Sequence, residues 1–254
     1  MITVTANAFH EKLNIEADEI ILNGPPSSLR GQVFISNNES ETLFIRDLPL
    51  SSPKEGRTLP NMAAAFKLTT SLKAGEGKMQ RLSHRVPAHT PPGTYESTIQ
   101  VGGTEKKVKM IVQPNIQVDI NPLSIHFAGV IPGESYYTQL SFTNSGNMPF
   151  KIPDIKHVTT LDEDYLCRAM SLAMREKGGE GFNATMDELT RNIHKDMADW
   201  AMVNIEEKGR VLEPGESIQL HLTLTLPKNV DPKRDYSGTM RLWDQTLSYS
   251  IKSH

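Results

Sequence analysis

The sequence predicts a mainly β protein made of two tandem antiparallel β-sandwiches, the second carrying an inserted pair of helices. Three observations predict it. A block of the chain occurs twice, short alternating runs separated by turn residues recur in both copies, and within the second copy the hydrophobic period changes from two to about 3.6.

The duplication is read directly. The run from Val33 through Asn37, Leu43, Ile45 and Asp47 to Leu48 aligns without a gap on Leu140, Asn144, Phe150, Ile152, Asp154 and Ile155. Leu72, Gly75 and Glu76, running on to Val86-Pro87, align on Leu212, Gly215 and Glu216, running on to Leu226-Pro227. The interval between the matched blocks is about 33 residues longer in the second copy, which locates an insertion. With 254 residues, each copy is long enough to bury its own core, and the expected domains are 1–114 and 115–254 with Pro114-Asn115 as the joint.

Residues 11–22 alternate, with Leu13, Ile15 and Ala17 against Asn14, Glu16 and Asp18, the period of a half-buried strand. Gly24-Pro25-Pro26 breaks it. A second strand begins at Gly31–Phe34, Asn37-Asn38 supplies turn chemistry, and Glu41–Asp47 alternates again, which predicts a hairpin-like unit. Pro49–Arg57 is polar and reads as loop, and a short helical turn is entertained for Asn61–Phe66. Lys78–Val86, Glu96–Val101 and Lys106–Val112 are further strands, the last two joined by a tight turn at Gly102-Gly103. The second copy repeats the scheme at Ile116–Ile120, Gln139–Asn144, Phe150–Ile155, Ser217–Leu226, Tyr236–Trp243 and Leu247–Ile251. Many short strands with turn signals between them belong to a sandwich and not to an alternating β/α sheet. Tyr95 and Tyr236 each open a strand after a Pro-containing turn, where a phenol can bond back to upstream backbone as in the tyrosine corner of immunoglobulin-like sandwiches. Gly75 and Gly215 are expected at φ > 0 in the turn before the next strand.

Charge and composition exclude some classes. Lys and Arg number 27, Asp and Glu 30, and no basic run is longer than Lys106-Lys107, so the footprint of a nucleic-acid binder is missing. Cys167 is the single cysteine and permits no intrachain disulfide. No stretch approaches the roughly 18 apolar residues of a membrane span, and Met1–Asn7 has neither the basic nor the apolar region of a leader. The expected location is cytoplasmic, or the envelope if a leader has been removed.

Phe127, Gly129 and Val130, the turn at Gly133-Glu134, and then Asn144, Gly146 and Asn147 before the apolar Phe150 and Ile152 resemble the ASPM/SPD-2/Hydin-type immunoglobulin-like domains and their bacterial relatives. The pattern departs at Ala128, which intervenes between Phe127 and Gly129. Pro87 to Tyr95 resembles the Pro-x(4)-Pro-Gly-x-Tyr turn of bacterial immunoglobulin-like modules. The resemblance implies an immunoglobulin-like fold and non-catalytic binding or scaffolding, with no catalytic residues to carry over.

The insertion, about 160–207, reads as an αα-hairpin. Thr160-Leu-Asp-Glu163 and Thr185-Met-Asp-Glu188 have the form of capping boxes. Leu166, Met170, Ala173 and Met174 follow the first at helical spacing, and Leu189, Ile193, Met197, Ala201 and Ile205 follow the second. Lys177-Gly178-Gly179 ends the first helix. Methionines mould to partner surfaces and tryptophan anchors interfaces, so Met170, Met174, Trp200 and Met202 are the expected partner-binding residues, while Leu189, Ile193 and Met197 are expected to zip the hairpin together.

Catalysis is not expected. Asp162, Glu163, Asp164, Glu188, His194, Asp196 and Asp199 crowd the insertion, yet neither helix carries the Glu-x-x-His of a di-metal site, and Glu188 and His194 fall on different helix faces. Cys167 is expected to be a partly buried helix cysteine, and His84 with His89 make a weak metal pair at best. No nucleophile elbow, phosphate loop or dinucleotide fingerprint is present, so no catalytic, cofactor or metal residues are expected. The expected function is a protein-binding scaffold acting through the helical insertion and exposed sandwich edges, toward a protein partner or itself. The alternatives are an accessory subunit of an enzyme complex and an envelope- or carbohydrate-associated module.

Overall fold

The structure is a computed structural model that describes residues 13–51, 65–101 and 103–253. Most of the expected 49–57 loop, the segment 61–64 and Gly102 lie outside these residues. The chain divides into two compact units, Met1–Ile116 with Ser145–Pro149, and Gln117–Asn144 with Phe150–His254. Both are built mainly of strands, and the second also carries two helices.

The first unit contains β1 (Leu13–Ile15), β2 (Glu19–Gly24), β3 (Leu29–Asn37), β4 (Leu43–Pro49), β5 (Ala65–Leu72), β6 (Gly77–His84), β7 (Gly93–Val101) and β8 (Thr104–Val112). β3 pairs with β6 on one side and with β1 and β2 on the other, and β2 runs on in parallel beside β8, which pairs with β7. The expected single strand over 11–22 is therefore two. It breaks at Glu16-Ala17-Asp18 so that one part pairs with β3 and the other with β8. The hairpin expected between β3 and β4 does not form either. β4 pairs instead with β5, in a layer whose end meets β7 through the Ser51–Thr98 bridge. Alternation alone reports which residues are buried, not which strand they lie beside. Ile45, Leu48, Phe66 and Leu68 of that layer pack with Leu22, Val33, Ile35, Leu82, Tyr95 and Met110 in one continuous core.

The second unit contains β9 (Val118–Asn121), β10 (Ser124–Ala128), β11 (Ser135–Asn144), β12 (Phe150–Lys151), β13 (His157–Val158), β14 (Leu161–Asp162), α1 (Tyr165–Lys177), α2 (Phe182–Asp196), β15 (Ala201–Ile205), β16 (Val211–Leu212), β17 (Ser217–Thr225), β18 (Tyr236–Leu242) and β19 (Gln245–Lys252). One sheet has the order β13-β15-β17-β11-β9, a second β10-β19-β18-β14, and β12 pairs with β16. Leu140, Phe142, Leu220, Leu222, Leu224, Leu242, Leu247 and Ile251 are fully or almost fully buried. The strand expected over 150–155 shortens to β12, beyond which Ile152 N–H donates to Arg210 C=O in the turn between β15 and β16.

The duplication persists bond for bond. β3 and β6 pair with Leu29 opposite His84 and Ser36 opposite Gly77, while β11 and β17 pair with Tyr136 opposite Leu224 and Thr143 opposite Ser217, the same register once the copies are aligned. Asn37 N–H donates to Glu76 C=O and Gly75 N–H to Asn37 C=O at 2.9 and 3.0 Å; Asn144 N–H and Gly215 N–H repeat this at 3.0 and 2.8 Å. Gly75 and Gly215 hold φ of 69° and 85°. A Cβ on Gly75 would meet nothing within 4 Å, so the dihedral alone demands glycine there. The tyrosine corners form as expected: Tyr95 Oη donates to Pro91 C=O at 2.7 Å, and Asp231 N–H donates to Tyr236 Oη at 2.8 Å.

Candidate protein-binding surface

The hairpin is narrower than the sequence suggests, and its helices start elsewhere. α1 begins at Tyr165 without a side-chain cap, since Thr160 is buried and shares a hydrogen bond with Tyr249 Oη at 3.0 Å, while Leu161-Asp162 pairs with β18. α2 begins at Phe182 after Gly181, so Thr185 lies inside it. Its hydroxyl donates to Lys177 C=O at 3.1 Å and Gly181 C=O at 3.0 Å and helps close the interhelical turn. A Thr-x-x-Glu spacing is necessary for a capping box and insufficient, because the same threonine is equally at home bonding a carbonyl.

The two helices meet through small groups. Ala169 and Ala173 of α1 are buried, Thr185 and Glu188 of α2 are buried, and Leu189 and Ile193 are half-buried as expected of a zipped pair. Tyr165 Oη donates to Ile193 C=O at 3.1 Å and ties the open ends together. With alanines in the seam, the stripe Leu166, Met170 and Met174 at i, i+4 and i+8 is left facing outward. The periodicity was shared between two faces, and the small residues won the inner one because they allow closer backbone approach. Cys167 is exposed, contrary to expectation, since it stands next to that outward stripe.

α2 ends at Asp196, and the face expected to continue through Ala201 and Ile205 is instead β15, in which Ala201, Val203 and Ile205 point inward at period two. Trp200 and Met202 therefore belong to an extended segment beside β17 and not to the hairpin, and Met197, also outside α2, is exposed and not zipped into it. Apolar residues at both i, i+4 and i, i+2 satisfy either period, and the β-branched Val203 and Ile205 decide for strand. Of the four expected partner-binding residues, Met170 is 40% exposed, Met174 60%, Trp200 58% and Met202 55%. Met170 and Met174 stand on one helical stripe, while Trp200 immediately precedes β15 and Met202 lies within it.

Three acidic groups of the insertion are held by basic side chains. Asp162 receives Arg168 and Arg234, Glu163 receives Lys252 Nζ at 2.7 Å, and Glu188 pairs with Arg191 at 2.5 Å. His84 is buried edge-on against Phe66, and burial lowers its pKa, while His89 Nδ1 lies 2.9 Å from Gly146 C=O. Among the described residues one group gathers three side chains of ligand type, Glu206, Glu207 and His221. The sequence reading missed it, because its residues meet only once 201–205 is recognised as a strand beside β17. Both Glu207 oxygens are occupied: Oε1 lies 2.6 Å from His221 Nδ1, and Oε2 accepts the His221 backbone N–H at 2.9 Å.

This pair sets a pH signature. The hydrogen bond to Glu207, opposed by partial desolvation and aided by the charges of Glu207 and Glu206, holds the His221 pKa above its ordinary value. Burial pushes Glu207 up, but the bonds from the His221 ring and backbone overcome it and hold the carboxyl below its ordinary value. A raised histidine contributes stability that is complete below about 6.5 and lost as pH climbs through its folded pKa, and a depressed glutamate contributes stability that is complete above about 4.3 and lost as pH falls through its own. The wild type should therefore exceed His221→Gln in melting temperature most between about pH 4.3 and 6.5, with the gap closing on both sides. A pH series of thermal melts on both proteins checks this, and a gap independent of pH contradicts it.

No helix among the described residues is long and apolar enough to cross a membrane. No family model matches the chain, and neither does any curated protein. Among solved structures the chain is similar to the PapD-like domain 7 of human CEP192 at 18% identity, over 57% of this chain and 93% of that one, with a TM-score of 0.29. It is similar to the CupB2 chaperone of Pseudomonas aeruginosa at 8% identity, over 93% and 98% of the two chains, with a TM-score of 0.24. Domains 4 and 5 of the S-layer protein SbsC match at 12% identity, over 81% and 99%, with a TM-score of 0.27. Scores this low carry nothing over about what those proteins bind.

Proposed function

We propose that this chain is a non-catalytic protein-binding scaffold, whose second unit presents Met170, Met174, Trp200 and Met202 to a protein partner or to a second copy of itself. One observation carries the reading. Among the described residues, half of the exposed large apolar side chains, Leu161, Leu166, Met170, Met174, Phe182, Met197, Trp200 and Met202 out of sixteen, fall within residues 161–202. Scattered apolar residues on a surface are ordinary, but such crowding in an insertion, on top of cores already complete without them, marks a contact surface. The resemblance of Phe127 to Asn147 to ASPM/SPD-2/Hydin-type domains supports the same reading, in which the two copies, 1–114 and 115–254, are the domains. The accessory-subunit and envelope readings rest on no feature of their own.

The test is retention of partners from the native cell on immobilised protein, with the paired variants M170A/M174A and W200A/M202A. Each pair removes exposed side chains, so melting temperatures should stay within a degree or two of wild type, while retention should fall about tenfold or more for a surface containing anchor residues. Retention unchanged in both variants, with folding intact, rejects this surface.

A further inference from the structure

Resting on the protein-binding reading and extending it to the first unit, we propose that the edge of β6 takes up an extended segment of a partner protein, antiparallel along Leu82–Arg85, with an acidic residue between two apolar ones.

The internal duplication supplies the template. In the second unit the side of β17 away from β11 carries β15, with Met202 opposite Thr225, Val203 opposite Leu224, Asn204 opposite Thr223 and Ile205 opposite Leu222. Because β3–β6 and β11–β17 share one register, these β17 positions correspond to Arg85, His84, Ser83 and Leu82. Among the described residues β6 pairs with β3 alone. A strand added where β15 sits would set two side chains inward beside His84 and Leu82, as Val203 and Ile205 are set, both buried. The residue between them would face outward beside Ser83, as Asn204 does.

Charge on that outer face selects the middle residue. In the six-stranded sheet the exposed Lys107 and the half-buried Lys109 of β8 each face a glutamate in register, Glu19 beside Lys107 and Glu96 beside Lys109. The two arginines do not: Arg30 stands opposite Ser83 and Arg81 opposite Gln32. With Gly31 and Leu82 these four side chains line an open groove of about 520 Å³. Arg30 Nε donates to Ser28 Oγ at 2.9 Å, and neither guanidinium has a carboxylate partner among the described residues. A carboxylate beside Ser83 lies diagonal to Arg81 on β6 and two strand spacings, about 10 Å, from Arg30, a gap that an arginine and a carboxylate side chain span together, whereas a lysine there meets two like charges. A third observation points to the same stretch. His84 Nε2 is buried and has no hydrogen-bond partner among the described residues, in a side chain only 4% exposed, at a strand position the added segment would cover.

The probe is a labelled heptapeptide, Thr-Thr-Val-Asp-Val-Thr-Thr, with a second in which Lys replaces Asp, titrated by fluorescence anisotropy against the whole protein. The expected result is saturable binding of the Asp peptide, at least about tenfold tighter than the Lys peptide, weakened by salt, with the amides of Leu82–Arg85 protected from hydrogen exchange. Arg30→Glu/Arg81→Glu should reverse the preference, and Lys107→Glu, on the same sheet, should not. Both charge reversals alter exposed side chains, and circular dichroism melts establish that the variants are folded. Absence of saturable binding up to about 1 mM, equal affinity for both peptides, or protection confined to other strands overturns the proposal. M170A/M174A and W200A/M202A should bind the peptide as wild type does, so failure here and failure of the second-unit surface are read separately.

Discussion

Asn37→Ala should lower the unfolding free energy by about 3 kcal/mol, and Asn38→Ala, one residue on and exposed, by less than about 0.5 kcal/mol. The difference lies in what the amide holds. Asn37 is 1% exposed, and its Nδ2 donates to Glu41 C=O at 2.7 Å, Lys73 C=O at 3.0 Å and Leu72 C=O at 3.2 Å, while its Oδ1 accepts Glu39 N–H at 3.0 Å. One side chain thus closes the end of β3, the start of the β3–β4 loop and the β5–β6 turn. Truncation leaves buried carbonyls without donors, at about 1–3 kcal/mol each, less whatever water recovers. Asn37→Asp should be at least as damaging, since it aims an acceptor at carbonyl oxygens. Urea denaturation of the three variants measures this, and a loss below about 1 kcal/mol for Asn37→Ala would show that the turn stands without its amide.

The same residue shows why the framework was legible in the sequence. Asn37 and Asn144 align because each must supply the same donor to the same turn; Asn144 Nδ2 donates to Leu212 C=O at 2.9 Å, the counterpart of Leu72. Gly75 and Gly215 align because one dihedral is required twice, and Tyr95 and Tyr236 because one hydroxyl is. Such requirements are local and carry a residue type with them. Pairing partners are not local: nothing in Leu43–Pro49 announces that it joins β5 and not β3. The insertion fell between these cases. Its helices were visible as a period, but Thr160 and Thr185 have the right spacing for caps and different neighbours, and Ala201–Ile205 fits helical spacing while its β-branched residues belong to a strand. Met170 and Met174 are exposed on α1, and their separation from Trp200 and Met202 was not legible, because it depends on where α2 stops.

Asp162 governs where α1 starts, and Asp162→Ala should cost about 3–5 kcal/mol, the largest effect expected of a single side chain in the second unit. Its carboxylate is 5% exposed and lies on the two-residue strand β14, paired with β18. Arg168, one turn into α1, reaches one oxygen, Arg234 from the loop before β18 reaches the same oxygen at 3.3 Å, and Asp164 N–H donates to the other at 3.0 Å. With no capping side chain at its N-terminus, α1 is held to the sandwich by this clamp. Removing the acid leaves two part-buried guanidiniums facing each other, Arg234 keeping only Asp231, and costs more than the pair ever contributed. That asymmetry yields a sharper test than the single variant. Asp162→Leu with Arg168→Met replaces charges by apolar groups of similar volume and should regain most of the loss, whereas Asp162→Leu alone should not. Hydrogen exchange adds the link to function: in Asp162→Ala the amides of Tyr165–Lys177 should exchange faster than those of β17, and partner retention through Met170 and Met174 should fall although neither residue is altered. Unchanged protection of α1 would mean that the alanine seam with α2 positions the methionine stripe by itself.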